Sequence, residues 1–477
     1  MKVKQPAMRV ESDSLDHITL GEECLYGINT ARGATNFAIS GRRLSHEPAL
    51  VHALAEVKKA AALTNRDLGL LARDVADAII AACDEIMAGS HHQHFVIDLL
   101  EGSGATSINM NANEVIANRA LQLLGGAPGD YQRIHPNDHV NMGQSTNDAV
   151  PTALKLAVRQ RAHLLLAALD ALVEALQKKA VAFADVPRLG RTCLQDAQPM
   201  MLGQAFGGYS AAVARAREAT ASAADGLLVV PLGGTAIGTG LGAKPGYRAA
   251  VLGTIARVTG QPVQGSADIF DGMQNADQFA RFSGELRTTA SLIGKIASDL
   301  VLLSSGPNGG IGELHLPAVQ AGSSIMPGKV NPVMPIMMQQ VAFAVSGNDL
   351  TVSMAVLNGQ LEINHFEPVM ASRLFDSLNL LTNGTRLFTQ HCIDGLDADR
   401  ERSLNNLLGS SALATVFVPT LGYDTTAAPV KRSLQEKRPF SALVIEQGLM
   451  DENDVIQALH SSAGGPNAVG HTPDSAD

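Results

Sequence analysis

Apolar residues recur at three- and four-residue steps from Ala49 to Met87, first through ALVHALAEVKKAAAL and then through LLARDVADAIIAACDEIM. That spacing predicts amphipathic helices. A second, longer pattern predicts a helix from about Ser145–Asp148 to about Phe183, with Pro151 expected in its first turn. Its LLLAALDALVEALQ segment is apolar on more than one face, so it should lie between other helices. Further helices are predicted from about Leu202 to Ala224, from about Asp277 to Leu303 and from about Met334 to Leu357. Strand signals are few and no internal repeat is visible. The fold expected is all-α, a helical bundle completed by other subunits.

Between these runs lie polar, glycine-rich interruptions, and they set the expected domain plan. Residues 1–145 form an N-terminal domain that is turn-rich up to about residue 45, and residues 146–395 a central helical domain. From about Leu396 shorter and more charged patterns predict a small C-terminal domain over 396–460, followed by a disordered tail over 461–477.

Composition narrows the class. The 477 residues are 45% hydrophobic and 17% charged, which suits a globular chain of two or three domains. A formal net charge of −10 with no basic run argues against nucleic acid as a partner. No apolar stretch is long enough to span a bilayer, and MKVKQPAMRVESDS lacks the apolar core of a secretory signal. Cys24, Cys83, Cys193 and Cys392 form neither a metal pattern nor a disulfide framework. A cytoplasmic protein is expected.

The interruptions also hold the candidate chemistry. Gly322–Pro332 reads GSSIMPGKVNP: hydroxyls, a cation and an amide on a segment whose glycines and prolines forbid a helix. Flanked by rigid apolar elements, it suits a lid that closes on an anion. In EGSGATSINMNANEVIANRA, Thr106 and Ser107 fall near a helix start, where unpaired N–H groups either receive an anion or are capped. HVNMGQSTNDAVPTALKLA places Ser145, Thr146 and Asn147 in the same position of the next helix. RLGRTCLQDAQPMMLGQAF follows a break at Pro187. PLGGTAIGTGLGAKPG departs from the P-loop pattern, so a nucleotide is not expected there. His91, His92 and His94 lack a suitably spaced acidic or cysteine ligand and read as a solvated helix end.

Taken together, GSSIMPGKVNP, SGATSINMNANEVIANRA, VNMGQSTNDAVPTA and GRTCLQDAQPM resemble the aspartase/fumarase superfamily, in the same order and at similar spacing, from about residue 9 to about residue 460. ATSINMN, QSTND and GQLEINHFEPV resemble its aspartate-cleaving ammonia-lyase branch more than its fumarases. The resemblance implies a three-domain helical subunit and a homotetramer whose active sites are each shared by three subunits. It implies elimination of ammonia from L-aspartate to give fumarate, with alternatives in an N-substituted aspartate, in fumarate hydration, or in a non-catalytic fumarate-binding homologue.

By the same resemblance Ser323 is the base and Lys329 supports it while binding a carboxylate. Thr106, Ser145, Thr146 and Ser324 stabilise the carboxylate that gains charge, Thr192, Lys329 and Asn331 hold the other one, and Asn147 lies near the leaving group. No metal and no organic cofactor is required. The physical demand on such a site is a dense set of donors around one carboxylate, tightening as a second negative charge develops. An unperturbed serine is too weak an acid to serve as base, so backbone N–H groups of the loop and the lysine must stabilise its alkoxide. The chain departs from the family pattern at Cys193, where His or Gln is usual, at Ile336, where Glu is common, and in ATVFVPTLGYD. The first two changes fall on the amine side of the substrate.

Overall fold

A computed structural model of the chain describes residues 7–451, 453–455 and 457–458. The expectation for residues 461–477 lies outside the described residues. A hairpin, β1 (Met8–Ser12) and β2 (His17–Gly21), precedes helices α1 (Ile28–Asn36), α2 (Pro48–Asp67), α3 (Arg73–Met87), α4 (Thr106–Leu123) and α5 (Thr146–Ala182). A second hairpin follows, β3 (Pro187–Thr192) and β4 (Gln195–Met201), and then α6 (Leu202–Gly226), β5 (Val229–Val230), α7 (Tyr247–Thr259), β6 (Gln264–Gly265), α8 (Ile269–Gln274) and α9 (Asp277–Leu303). The remainder is β7 (Leu314–His315), α10 (Val333–Leu357), α11 (Glu367–Phe388), β8 (Asp397–Ala398), α12 (Arg400–Leu408), α13 (Ala414–Leu421), α14 (Tyr423–Glu436) and α15 (Phe440–Glu446).

The sheets are all two-stranded, so the fold is all-α with local ribbons. The long helices fall where the periodicity places them, α9 at both expected ends. Pro151 differs from expectation: it stands inside α5, beyond the first turn. Lacking an N–H, it leaves the Asn147 carbonyl without its helical donor.

Contacts divide the chain into two compact units. The first comprises Met1–Leu166, Glu218–Thr288 and Ala344–Leu381. In it α2 packs on α3, α4 and α7, and Val51, Leu54 and Ala61 on one stripe of α2 are buried, as are Ile79 of α3 and Val115 of α4. The second comprises Ala167–Arg217, Thr289–Phe343 and Thr382–Asp477. Here Leu189 of β3 joins Leu407, Leu413, Phe417, Phe440 and Val444 in one buried cluster, which seats the β3–β4 hairpin on the C-terminal helices. At Gly384 of α11 a Cβ would stand 3.0 Å from the Met338 sulfur of α10, so the missing side chain permits that close helix approach.

Candidate functional site

The first unit builds two donor-bearing helix starts. Before α4, Gly104 (φ +65°) and Ala105 (φ +66°) are both left-handed and swing the chain so that Thr106 opens the helix on the surface. The Ser103 hydroxyl accepts the Ser107 N–H at 2.8 Å, and the Glu101 carboxylate accepts the Ser103 N–H. Before α5, Ser145 and Asp148 cap each other's turn: Ser145 Oγ accepts the Asn147 N–H at 3.3 Å and Asp148 Oδ1 accepts the Ser145 N–H at 2.8 Å. Ser145, Thr146 and Asn147 therefore stand together on one half-buried turn. The Asn147 amide donates to the Ala236 carbonyl at 2.8 Å.

Asp148 is fully buried, and its second oxygen accepts the N–H groups of Gly233 (2.9 Å) and Thr235 (3.1 Å). Burial pushes its pKa up to about 6, against the pull of those backbone donors and of Lys58. The glycine-rich segment after Pro231 thus spends two of its amides on Asp148, where a phosphate loop would leave them free.

Lys58 of α2 is wholly buried and donates to Asn109 Oδ1 (2.7 Å), Asn141 Oδ1 (2.9 Å) and Gln144 Oε1 (3.0 Å). Asn109 lies one turn into α4 from Thr106, and Gln144 immediately precedes Ser145. Burial lowers the Lys58 pKa to about 7. Sequence reading gave Lys58, Asn109, Asn141 and Gln144 no role and took Asp148 only as part of the α5 start. The signal available was a lysine on the same three-to-four stripe as Val51, Leu54 and Ala61.

The second unit carries the loop and the hairpin. The loop Gly322–Pro332 is closed at its neck: the Gly322 N–H donates to the Lys329 carbonyl (2.8 Å) and Asn331 Nδ2 donates to the Gly322 carbonyl (2.7 Å). A Cβ at residue 322 would stand 2.7 Å from that Lys329 oxygen, so only glycine fits. Inside the loop Ser323 Oγ accepts two backbone N–H groups, from Ile325 (3.2 Å) and Met326 (3.0 Å). Ser324 and Lys329 are exposed on the same loop. The neck occupies one of the two Asn331 amide N–H groups, so here Asn331 shapes the loop. Beside the loop, a cleft of about 440 Å³ is lined by Val330, Asn331 and Pro332 together with His315, Asp399 and Arg402.

GRTCLQDAQPM forms the β3–β4 hairpin, which the weak strand signal did not predict. Thr192 pairs with Gln195 across a two-residue turn of Cys193 (φ +52°) and Leu194 (φ +61°). Both are left-handed, a geometry that usually selects Asn and Gly, so this tip holds backbone strain. The strands are fixed from below by fully buried Glu313, which pairs with Arg188 (3.2 Å) and Arg191 (2.8 Å) and accepts from Asn406. Thr192 and Cys193 are exposed at the tip, and Ile336 is 39% exposed in the first turn of α10.

The His91–His94 segment is a helix end in which His91 pairs with Glu85 at 2.8 Å and His92 bonds the Ile86 carbonyl. Among the described residues no group of three or more His, Cys, Asp or Glu side chains is placed to hold a metal ion. No single helix among them is long and apolar enough to cross a membrane.

A lyase family matches residues 17–347 of the chain. The aspartate ammonia-lyase of Pseudomonas aeruginosa is 46% identical over 94% of this chain and 95% of its own length. That of Helicobacter pylori is 42% identical over 94% of this chain and 96% of its own. Among solved structures, a Brucella melitensis fumarate lyase:delta crystallin bound to cobalt superposes with a TM-score of 0.93 at 43% identity, covering 96% of this chain and 100% of that one. The class II fumarase of Schistosoma mansoni superposes with a TM-score of 0.89 at 34% identity, over 95% and 99% of the two chains.

Proposed function

The chain belongs to the lyase family matched by residues 17–347, and on that footing we propose that it eliminates ammonia from L-aspartate to give fumarate. The observation that carries the mechanism is the pair of backbone N–H groups, from Ile325 and Met326, on the Ser323 hydroxyl oxygen. Such donors favour the ionised form of the group they contact, which is what a serine needs to act as a base. Ser323 Oγ removes a proton from the carbon next to one carboxylate. The electron pair passes into that carboxylate, and the C–N bond then breaks to release ammonia and leave the double bond.

The added charge is met by the hydroxyls of Thr106, Ser145 and Thr146, with Ser324 from the loop. Lys329, Asn331 and Thr192 hold the second carboxylate, and Asn147 faces the leaving amine. The neck uses one of the two Asn331 amide N–H groups, which leaves the other to donate to the carboxylate. Cys193 and Ile336 leave the amine side less polar than in relatives bearing charged groups there, so small N-substituents are accommodated beside ammonia.

The assembly proposed is a homotetramer in which three subunits contribute these segments to each site. Its support is α10, where Phe343, Leu350, Met354 and Leu357 are 71%, 63%, 57% and 82% exposed at heptad spacing. Such a stripe fits knobs-into-holes contact with copies of the same helix. Light scattering on the purified protein tests the assembly, and a monomer with full activity would refute it.

Fumarate absorbs in the ultraviolet, so the reaction is tested by following absorbance with aspartate, malate and N-methylaspartate in parallel. Absorbance should rise with aspartate. Silence with aspartate and a rise with malate would sink the ammonia-lyase reading in favour of a hydratase.

A further inference from the structure

We propose that Lys58 is a positioning residue of this reaction: its ammonium, enclosed by three carboxamide oxygens, ties the start of α4 to the start of α5 and keeps a positive charge behind the hydroxyls that receive the substrate carboxylate. The inference rests on the dicarboxylate reading given above.

Three observations carry it. First, every ammonium proton is used, on Asn109 (2.7 Å), Asn141 (2.9 Å) and Gln144 (3.0 Å), and these acceptors come from the two segments that present Thr106 and Ser145–Asn147. Second, the cage is braced further out. Asn141 Oδ1 also accepts from Asn109 (3.2 Å) and Asn113 (3.3 Å), and Gln144 Nε2 donates to the Val140 carbonyl (3.0 Å). Third, the direct ligands are neutral amides, so no carboxylate is hydrogen-bonded to the charge, and Asp148 acts on it only at longer range.

Two titratable groups act on this ammonium from the neighbouring elements. On α5, Asp148 has its oxygens occupied by Ser145, Gly233 and Thr235 N–H groups. On α3, the buried Cys83 thiol is held protonated by its burial. A packing role alone would be filled at lower cost by an apolar side chain.

Proton loss from Lys58 leaves a lone pair facing one of three oxygens, so one carboxamide must turn away. Where that carboxamide is Asn141 or Gln144, the turn that begins at Ser145 loses one of its anchors. Burial places this loss near neutrality, at a pKa of about 7 in the free enzyme, and a bound dianion holds the proton on. Dicarboxylate binding is therefore expected to take up a proton near neutral pH.

The probe is succinate, which has both carboxylates and no leaving group. Its binding to the full-length enzyme is measured by calorimetry between about pH 6.5 and 9, in buffers of different ionisation enthalpy. In the wild type, affinity should fall about tenfold per unit above the Lys58 pKa, with proton uptake on binding. Lys58→Arg keeps the charge at every pH and should flatten the profile, whatever its absolute affinity. Lys58→Met should weaken succinate binding about a hundredfold and raise KM in step, with oligomer size and circular dichroism unchanged. A flat wild-type profile, an unchanged slope in Lys58→Arg, or normal succinate affinity in Lys58→Met would each overturn the proposal. If neither variant folds, the wild-type profile and its proton uptake decide alone. Failure of the wider reading looks different: the wild type would then form no fumarate from aspartate and bind no succinate at all.

Discussion

Ser145 and Ser323 each open a turn, and within it the Ser145 hydroxyl oxygen accepts one backbone N–H and that of Ser323 accepts two. What stands behind them differs. Behind Ser145 lie the fully buried Asp148 and Lys58, which hold the turn through bonds to Gly233, Thr235, Asn141 and Gln144. Around Ser323 there is a neck of backbone and amide bonds, with Ile325 83% exposed and Met326 49% exposed above it. One region is a turn held by buried charged groups and the other an exposed loop held by its own neck. The difference suits an elimination in which pre-placed donors receive the developing charge while the base arrives with the lid and water is excluded.

The largest test of this contrast removes the hydroxyl proposed as the base. Ser323→Ala should lower turnover by about three orders of magnitude or more, with succinate affinity changed little, because the carboxylate donors stay in place. Steady-state kinetics with a succinate titration measures both, and near-normal turnover would end the serine-base mechanism. Lys329→Ala should act on both parameters, raising KM by about tenfold to a hundredfold and also slowing turnover, since one charge serves binding and base. An effect on KM alone would separate Lys329 from the base.

Gly322→Ala strikes the neck of the loop, where a Cβ would meet the Lys329 carbonyl at 2.7 Å and the Asn331 N–H at 2.8 Å. Activity should drop about tenfold while the melting temperature holds, because the loop contributes little to either core. A large loss of stability would show that the loop is part of the packed structure.

The smallest effect is expected at Glu367, buried at the start of α11, where residue 365 packs against Gly104 of the turn before Thr106. Burial pushes its pKa up to about 8, with Glu101 adding to the rise. The folded state thus binds this proton more tightly than the unfolded chain, so the group's contribution to stability declines as pH rises from about 4.5 to 8. Glu367→Gln should flatten that part of the melting-temperature profile by a few degrees, and an unchanged slope would show that the carboxyl finds a partner in the assembled protein.

Much of this was legible in the sequence wherever the cause is local. The helix α9 is set by periodicity, the α5 start by Ser145 and Asp148, and the loop by prolines and glycines that no helix tolerates. The β3–β4 hairpin was not legible. Its strands lack alternation and its turn is Cys-Leu where Asn-Gly would have announced it. Long-range partners hold it instead, namely the Glu313 carboxylate and the apolar cluster around Leu189. Pro151 shows the same override, since it sits within a 37-residue helix that packing sustains past the lost bond.

By itself, then, the sequence determined the all-helical class, the loop with Ser323, and the two helix starts that carry Thr106 and Ser145. Each follows from capping, periodicity or backbone chemistry within a few residues. Only the tertiary structure decided that Lys58 is buried while its neighbour Lys59 reaches Asp84 at the surface. The reason is desolvation. An ammonium enters the interior only when acceptors replace its water, and those acceptors lie 51, 83 and 86 residues further along the chain.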